Sequence, residues 1–155
     1  MRDRLNQAVK DAMKSGEKSR LSTLRLINAA IKDRDIASRA DDSGEATGRE
    51  RIEDTEILAL LQKMIKQRRE SAGTYRQGGR PELAAAEEAE ILVIEEFLPK
   101  QMSEAEMAAA VKAAMAEVGC AGLKDMGRTM ALLKERYTGQ MDFGKASAMV
   151  KAALG

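Results

Sequence analysis

The stretch from Lys63 to Pro99 constrains the fold of this chain more than any other. It opens on a basic run, Lys63-Met-Ile-Lys-Gln-Arg-Arg-Glu-Ser71, breaks at Gln77-Gly-Gly-Arg-Pro81, and continues as an acidic run from Glu82 to Pro99. Paired glycines can turn a chain, and proline suits the first turn of a new helix. The pattern predicts an antiparallel helical hairpin with one basic and one acidic arm. On a 3.6-residue wheel Ile57, Leu61, Met64, Ala72 and Tyr75 share one face of the first arm, and Arg68 lies inside that face. Leu83, Ile91, Ile94 and Leu98 share a face of the second arm, with Glu87 and Glu90 inside it. An unpaired charge on a buried stripe is costly. Folding the arms back at Gly78-Gly79 brings Arg68 level with Glu90 and near Glu87, so the expected arrangement is an internal ion pair that sets the register.

Composition narrows the class. Aromatic residues make up 3% of the 155, whereas Ala, Leu, Met, Lys, Arg and Glu abound, which points to an all-α protein. The length suits one domain, or one domain with a small appendage. A net charge of +1 says nothing about nucleic acid as a partner. The single cysteine, Cys120, excludes an internal disulfide framework and a cysteine-based zinc site, and the absence of histidine removes the commonest general base and metal ligand. No apolar run approaches the ~20 residues needed to span a bilayer, and no secretory h-region stands at the N-terminus. A cytoplasmic protein without cofactor, metal or membrane association is the simplest expectation.

Taken in order, residues 1–15 form a first helix with Leu5, Val9 and Met13 at four-residue spacing, ended by Gly16. A second helix runs from about Glu17 to Ser38 on the stripe Leu21, Leu24, Ile27 and Ile31. Lys18, Arg25 and Lys32 recur every seven residues on another face, which is ordinarily a solvated row but could face phosphates. Residues 39–49 are polar, glycine-containing and aperiodic, and read as a flexible loop. The third helix starts near Ile52 and ends near Arg76. Pro99 stops the fourth. Ser103-Glu-Ala-Glu106 then matches a capping box, opening a helix with Met107, Val111, Ala114 and Val118 on one face. After the turn Gly119-Cys-Ala-Gly122, Asp125 is the expected cap of a helix with the stripe Met126, Met130, Leu133 and Tyr137. Asp142 is the expected cap of the last, which carries Ala146, Met149, Val150 and Ala153. The expected organisation is a four-helix N-terminal domain, residues 1–98, and a small three-helix domain, residues 99–155.

Catalytic signals are weak. The run Gly73-Thr-Tyr-Arg-Gln-Gly78-Gly-Arg80 lacks the Lys-Ser/Thr of a phosphate loop, and no strand precedes it. Glu87, Glu88 and Glu90 lack the histidines of a bundle di-metal site. No base stands beside a nucleophile at a recognisable spacing, Cys120 reads as an incidental thiol, and the methionines read as core filler. The better candidates are cationic. Lys66, Arg69 and Arg76 lie on the outer face of the third helix with Arg80 at the turn, a strip suited to phosphate. Lys124, Arg128 and Lys145, near the starts of the last two helices, form a second set. With few aromatics to stack on bases, any RNA contact is expected at the backbone.

Several motifs in order resemble a known family. Lys18-Ser-Arg-Leu-Ser-Thr-Leu-Arg-Leu-Ile-Asn-Ala-Ala-Ile-Lys32 resembles the N-terminal motif of the YqeY family. Lys63 to Ser71, Arg80-Pro-Glu-Leu-Ala84, Glu87, Glu90 and Phe97-Leu-Pro-Lys-Gln101 resemble its central motif, and Asp125-Met-Gly127, Met130 and Gly139 to Asp142 its tail. The resemblance covers nearly the whole chain and departs mainly in the loop near residues 40–50. It implies an all-helical two-domain protein whose tail is similar to the C-terminal domain of GatB, the tRNA-binding subunit of the tRNA-dependent amidotransferase. The label of a carbon–nitrogen ligase with glutamine as amido donor would come by homology of that tail alone, since the kinase and amidase chemistry belongs to portions absent from this sequence. Three readings follow: a non-catalytic accessory module that binds RNA, above all tRNA; a protein–protein adaptor docking on a larger enzyme; and an amidotransferase-type enzyme in its own right.

Overall fold

The computed structural model describes all residues, Met1–Gly155. The chain is all-α, with seven α-helices and one short 3₁₀ turn: α1 Arg2–Ser15, α2 Lys18–Ala37, α3 Asp54–Gln77, α4 Pro81–Glu95, α5 Glu104–Val118, the turn Leu123–Asp125, α6 Met126–Tyr137 and α7 Phe143–Leu154. It falls into two compact units, Met1–Leu98 and Pro99–Gly155, each with its own core.

The first unit is built on the α3–α4 hairpin. α3 ends in a hydrogen-bonded reversal in which the Arg80 N–H donates to the Tyr75 carbonyl at 2.8 Å and Gly79 takes φ +72°. That left-handed conformation favours glycine, which explains the residue at the tip. Pro81 then opens α4. Apolar residues of α1, α2, α3 and α4 meet in one core that includes Leu5, Leu24, Ile27, Leu61, Ile94 and Phe97. α1 turns Leu5 and Ala12 inward and leaves Met13 exposed. Four-residue steps overshoot a turn by about 40° each, so a stripe extended as Leu5, Val9, Met13 walks off the buried face.

Four local expectations change. α3 starts at Asp54 rather than near Ile52, because the Ile52 N–H is held by the Asp35 carboxylate at 2.8 Å. The helix then begins on a capping box between Glu53 and Glu56. The loop expected to be flexible carries its own hydrogen bonds: Asp41 accepts from the Ser43 and Glu45 N–H groups, each at 2.9 Å, and the Thr47 N–H reaches the Arg39 carbonyl at 2.9 Å. α4 gives way after Glu95 to a tighter turn, with the Phe97 and Leu98 N–H groups bonded three residues back. In α7, Ala153 is exposed and Leu154 packs on the core instead.

The second unit packs α5, α6 and α7 around Met107, Val111, Leu133, Met141, Ala146 and Val150. Ser103 caps α5 by accepting from the Glu106 N–H at 3.1 Å. Gly119, at φ +63°, ends that helix in a left-handed cap.

Candidate functional site

Along the hairpin, α4 supplies carboxylates to the arginines of α3. Arg68 Nε lies 2.7 Å from Glu90 Oε2, and the guanidinium also donates to the Met64 carbonyl at 3.3 Å. The Arg68 side chain is 15% exposed and that of Glu90 33%. Glu87 is half-buried on the same helix, and the partner of Arg68 is Glu90. Arg69 pairs with Glu95 at 3.2 Å, Arg76 with Glu88, and Arg80 with Glu82 at 2.9 Å. Of the outer basic strip, three members thus stand in ion pairs, while Lys66 is exposed. The wheel placed Arg69 and Arg76 on the solvent side, but their side chains are long enough to reach across to the neighbouring helix.

Arg68→Ala should cost about 1–3 kcal/mol, between an exposed pair at about 0–1 and a fully buried one at about 3–5. Urea unfolding measures it. A loss under about 0.5 kcal/mol would show that the pair contributes no more than a surface bridge.

In the second unit the three candidate cations sit beside two structural aspartates. Lys124 is exposed on the 3₁₀ turn. Arg128, in the first turn of α6 and largely exposed, places Nη2 2.8 Å from Asp125 Oδ1 and 3.3 Å from the Val118 carbonyl. Asp125 was expected to cap α6 with its side chain and does not. Its other oxygen accepts from the Ala121 N–H at 3.0 Å, closing the preceding turn. That N–H, together with Arg128, holds its carboxyl below the usual carboxylate range. The Met126 N–H, the first of α6, is taken by the Leu123 carbonyl. Asp142 does cap α7, accepting from the Gly144 N–H at 2.9 Å and the Lys145 N–H at 3.2 Å. Lys145 Nζ lies 4.0 Å from Glu104, with both side chains largely in solvent.

A polar cluster in the first unit went unread in the sequence. Arg2 forms a two-pronged pair with Asp35, at 2.9 and 2.7 Å, and donates to the Ile52 carbonyl at 3.0 Å. The Asp35 carboxylate in turn accepts from the Ile52 N–H. The signal was available: Asp35 lies one helical step beyond the stripe Leu24, Ile27, Ile31. The cluster joins α1, α2 and the entry to α3, and its groups are mutually satisfied. No group of three or more His, Cys, Asp or Glu could hold a metal ion, and no helix is long and apolar enough to cross a membrane.

A family model described as Yqey-like protein matches residues 2–154. The chain belongs to the YqeY family. The match spans both units and includes the hairpin, the aspartate-held turn and the capped last helix. A Schizosaccharomyces pombe protein, itself described as uncharacterized, is 30% identical over 93 residues, covering 60% of this YqeY-family chain and 68% of its own length.

Proposed function

We propose that this YqeY-family protein is a non-catalytic accessory module whose second unit binds RNA, above all tRNA, through the sugar–phosphate backbone. The observation that supports this reading is the disposition of charge in that unit. Three of its six carboxylates are taken up within the unit: Asp125 is buried against a turn, Asp142 caps α7 and Glu117 pairs with Arg136. Lys124, Arg128 and Lys145 remain at the surface. Phosphate oxygens can be met by such groups without base stacking, which a chain without tryptophan and with two tyrosines and two phenylalanines is poorly equipped to provide. The resemblance of the tail to the tRNA-binding subunit of an amidotransferase points the same way. A chain without histidine and with no base beside a nucleophile fits a binding role better than autonomous amide transfer.

The test is tRNA binding as a function of salt. The variant carries Lys124→Glu, Lys145→Glu and Arg128→Gln. Glutamine is chosen at 128 because a glutamate there would repel Asp125 and disturb the turn. If three phosphate contacts are lost, the slope of log K against log salt should become shallower by about 2–3. A wild-type protein without tRNA affinity at low salt, or a variant that binds equally well, defeats the RNA reading. The adaptor reading would then take its place, marked by retention of a protein partner at moderate salt. Incubation with glutamine and mischarged tRNA should give no turnover.

A further inference from the structure

The three arginines of α3 are matched by glutamates of α4, but the cations along one line of α2 have no such partners. Lys18, Ser22, Arg25, Ala29, Lys32 and Ile36 follow one another at alternating steps of four and three residues and are all exposed. That spacing draws one nearly straight line along a helix, with the cations about 10.5 Å apart. None of Lys18, Arg25 and Lys32 takes part in an ion pair, whereas Arg20, on another face of the same helix, pairs with Glu96. Beside the line lies a groove of about 360 Å³ formed by Lys18, Leu21, Ser22, Arg25 and Leu26. Leu26 and Ile36 are each about half exposed, two of the five large apolar side chains so exposed in the chain. One acid, Asp33, stands on the Leu26 side.

We propose that this face of α2 docks an acidic amphipathic helix of a partner protein. Ser22 and Ala29 are small and lie between the cations, so a second helix can approach closely, as small residues allow at helix contacts. Its carboxylates, repeating every seven residues, would meet Lys18, Arg25 and Lys32, and its apolar side chains would cover Leu26 and Ile36. The line from Lys18 to Ile36 spans about 27 Å, or five turns of partner helix. A phosphate backbone would use the cations and leave the aliphatic side chains uncovered, which is why a protein helix fits the face better. The site lies in the first unit and is independent of the RNA reading of the second.

The test is an NMR titration of the isotope-labelled full chain with a blocked, designed helical peptide of five turns, carrying glutamate at every seventh position and leucine between. Shifts should concentrate along α2 from Lys18 to Ile36. The double reversal Arg25→Glu with Lys32→Glu, at exposed positions, should weaken binding about tenfold. A companion peptide with lysine in place of glutamate should recover affinity for that reversed variant. The variant of Lys124, Arg128 and Lys145 should bind the acidic peptide like wild type, so that failure of either reading can be told from failure of the other. Absence of α2 shifts at low salt, shifts elsewhere, or no recovery by the charge-swapped peptide would overturn the proposal. So would α2 shifts with an RNA duplex but not with the peptide, which would make the face a nucleic-acid surface.

Discussion

Asp35→Ala should destabilise the first unit by about 2–4 kcal/mol, since a part-buried ion pair lies between an exposed and a fully buried one and the buried Ile52 N–H loses its acceptor as well. The Asp35 side chain is 13% exposed and that of Arg2 28%. Removing the carboxylate strips three hydrogen bonds at once, two from the Arg2 guanidinium and one from the Ile52 N–H. It leaves a cation and a backbone donor facing an acceptor that has gone, and the desolvation already incurred is no longer offset. For a unit of roughly 100 residues, with a total stability of about 5–15 kcal/mol, that is a large fraction. Asp35→Asn should fall between wild type and alanine, because its oxygen can still accept from Ile52 while the charge pair is lost. The pH dependence follows from the sign of the shift. Arg2, ahead of the Ile52 N–H, holds the folded carboxyl below its ordinary value, and burial opposes this. The stabilisation is therefore complete above the usual carboxylate range of about 4 and is lost as pH falls through the lower folded value. The gap between wild type and alanine should be constant from neutrality to about pH 5 and narrow in acid. A urea-measured loss under about 1 kcal/mol at neutral pH would show that the cluster is solvated and contributes little.

That cluster also shows where reading a sequence runs out. The rule that singled out Arg68, a charge in line with apolar neighbours, applies equally to Asp35 after Ile31 and to Arg2 before Leu5. In the hairpin Gly78-Gly79 dictates which arms meet, so the rule there points to a partner. Nothing local says that the first turn of α1 meets the last of α2 and the backbone at Ile52, because those contacts are set by packing across 33 and 50 residues of chain. Helix existence was legible from periodicity and from glycine and proline punctuation, which act within one turn. Asp125 failed as a cap because two roles competed for one carboxylate, and the neighbouring turn and Arg128 took it. The basic strip was legible as position but not as charge. A helical wheel gives the direction in which Arg69 and Arg76 leave the backbone, whereas their pairing with Glu95 and Glu88 depends on side-chain reach. The same limit applies to Lys18, Arg25 and Lys32, whose lack of a partner became visible only once the surrounding helices were in place.

Leu133→Ala should remove most of the stability of the second unit while leaving the first folded. Leu133 is fully buried among Met107, Val111, Met141, Ala146 and Val150. Truncating a buried leucine costs about 2–5 kcal/mol, the higher values applying where the surroundings cannot collapse into the space. A three-helix unit of roughly 60 residues buries a small share of its surface and has about 3–9 kcal/mol in all. It cannot absorb such a loss and remain well populated. Tyr75 lies in the first unit and Tyr137 in the second, so the ring resonances of the two tyrosines report each unit separately. In the variant the Tyr137 signals should collapse at a denaturant concentration where those of Tyr75 still report a folded environment. Leu133→Met, which nearly conserves volume, should cost under about 1.5 kcal/mol and keep both signals. The RNA binding proposed for the second unit should vanish with it, since Arg128 and Lys145 are held by helices that need this core, whereas the α2 face should still take the peptide proposed for it. If both tyrosines melt together in the alanine variant, the units unfold as one cooperative body, and the assignment of separate binding surfaces to separately stable parts fails with that result.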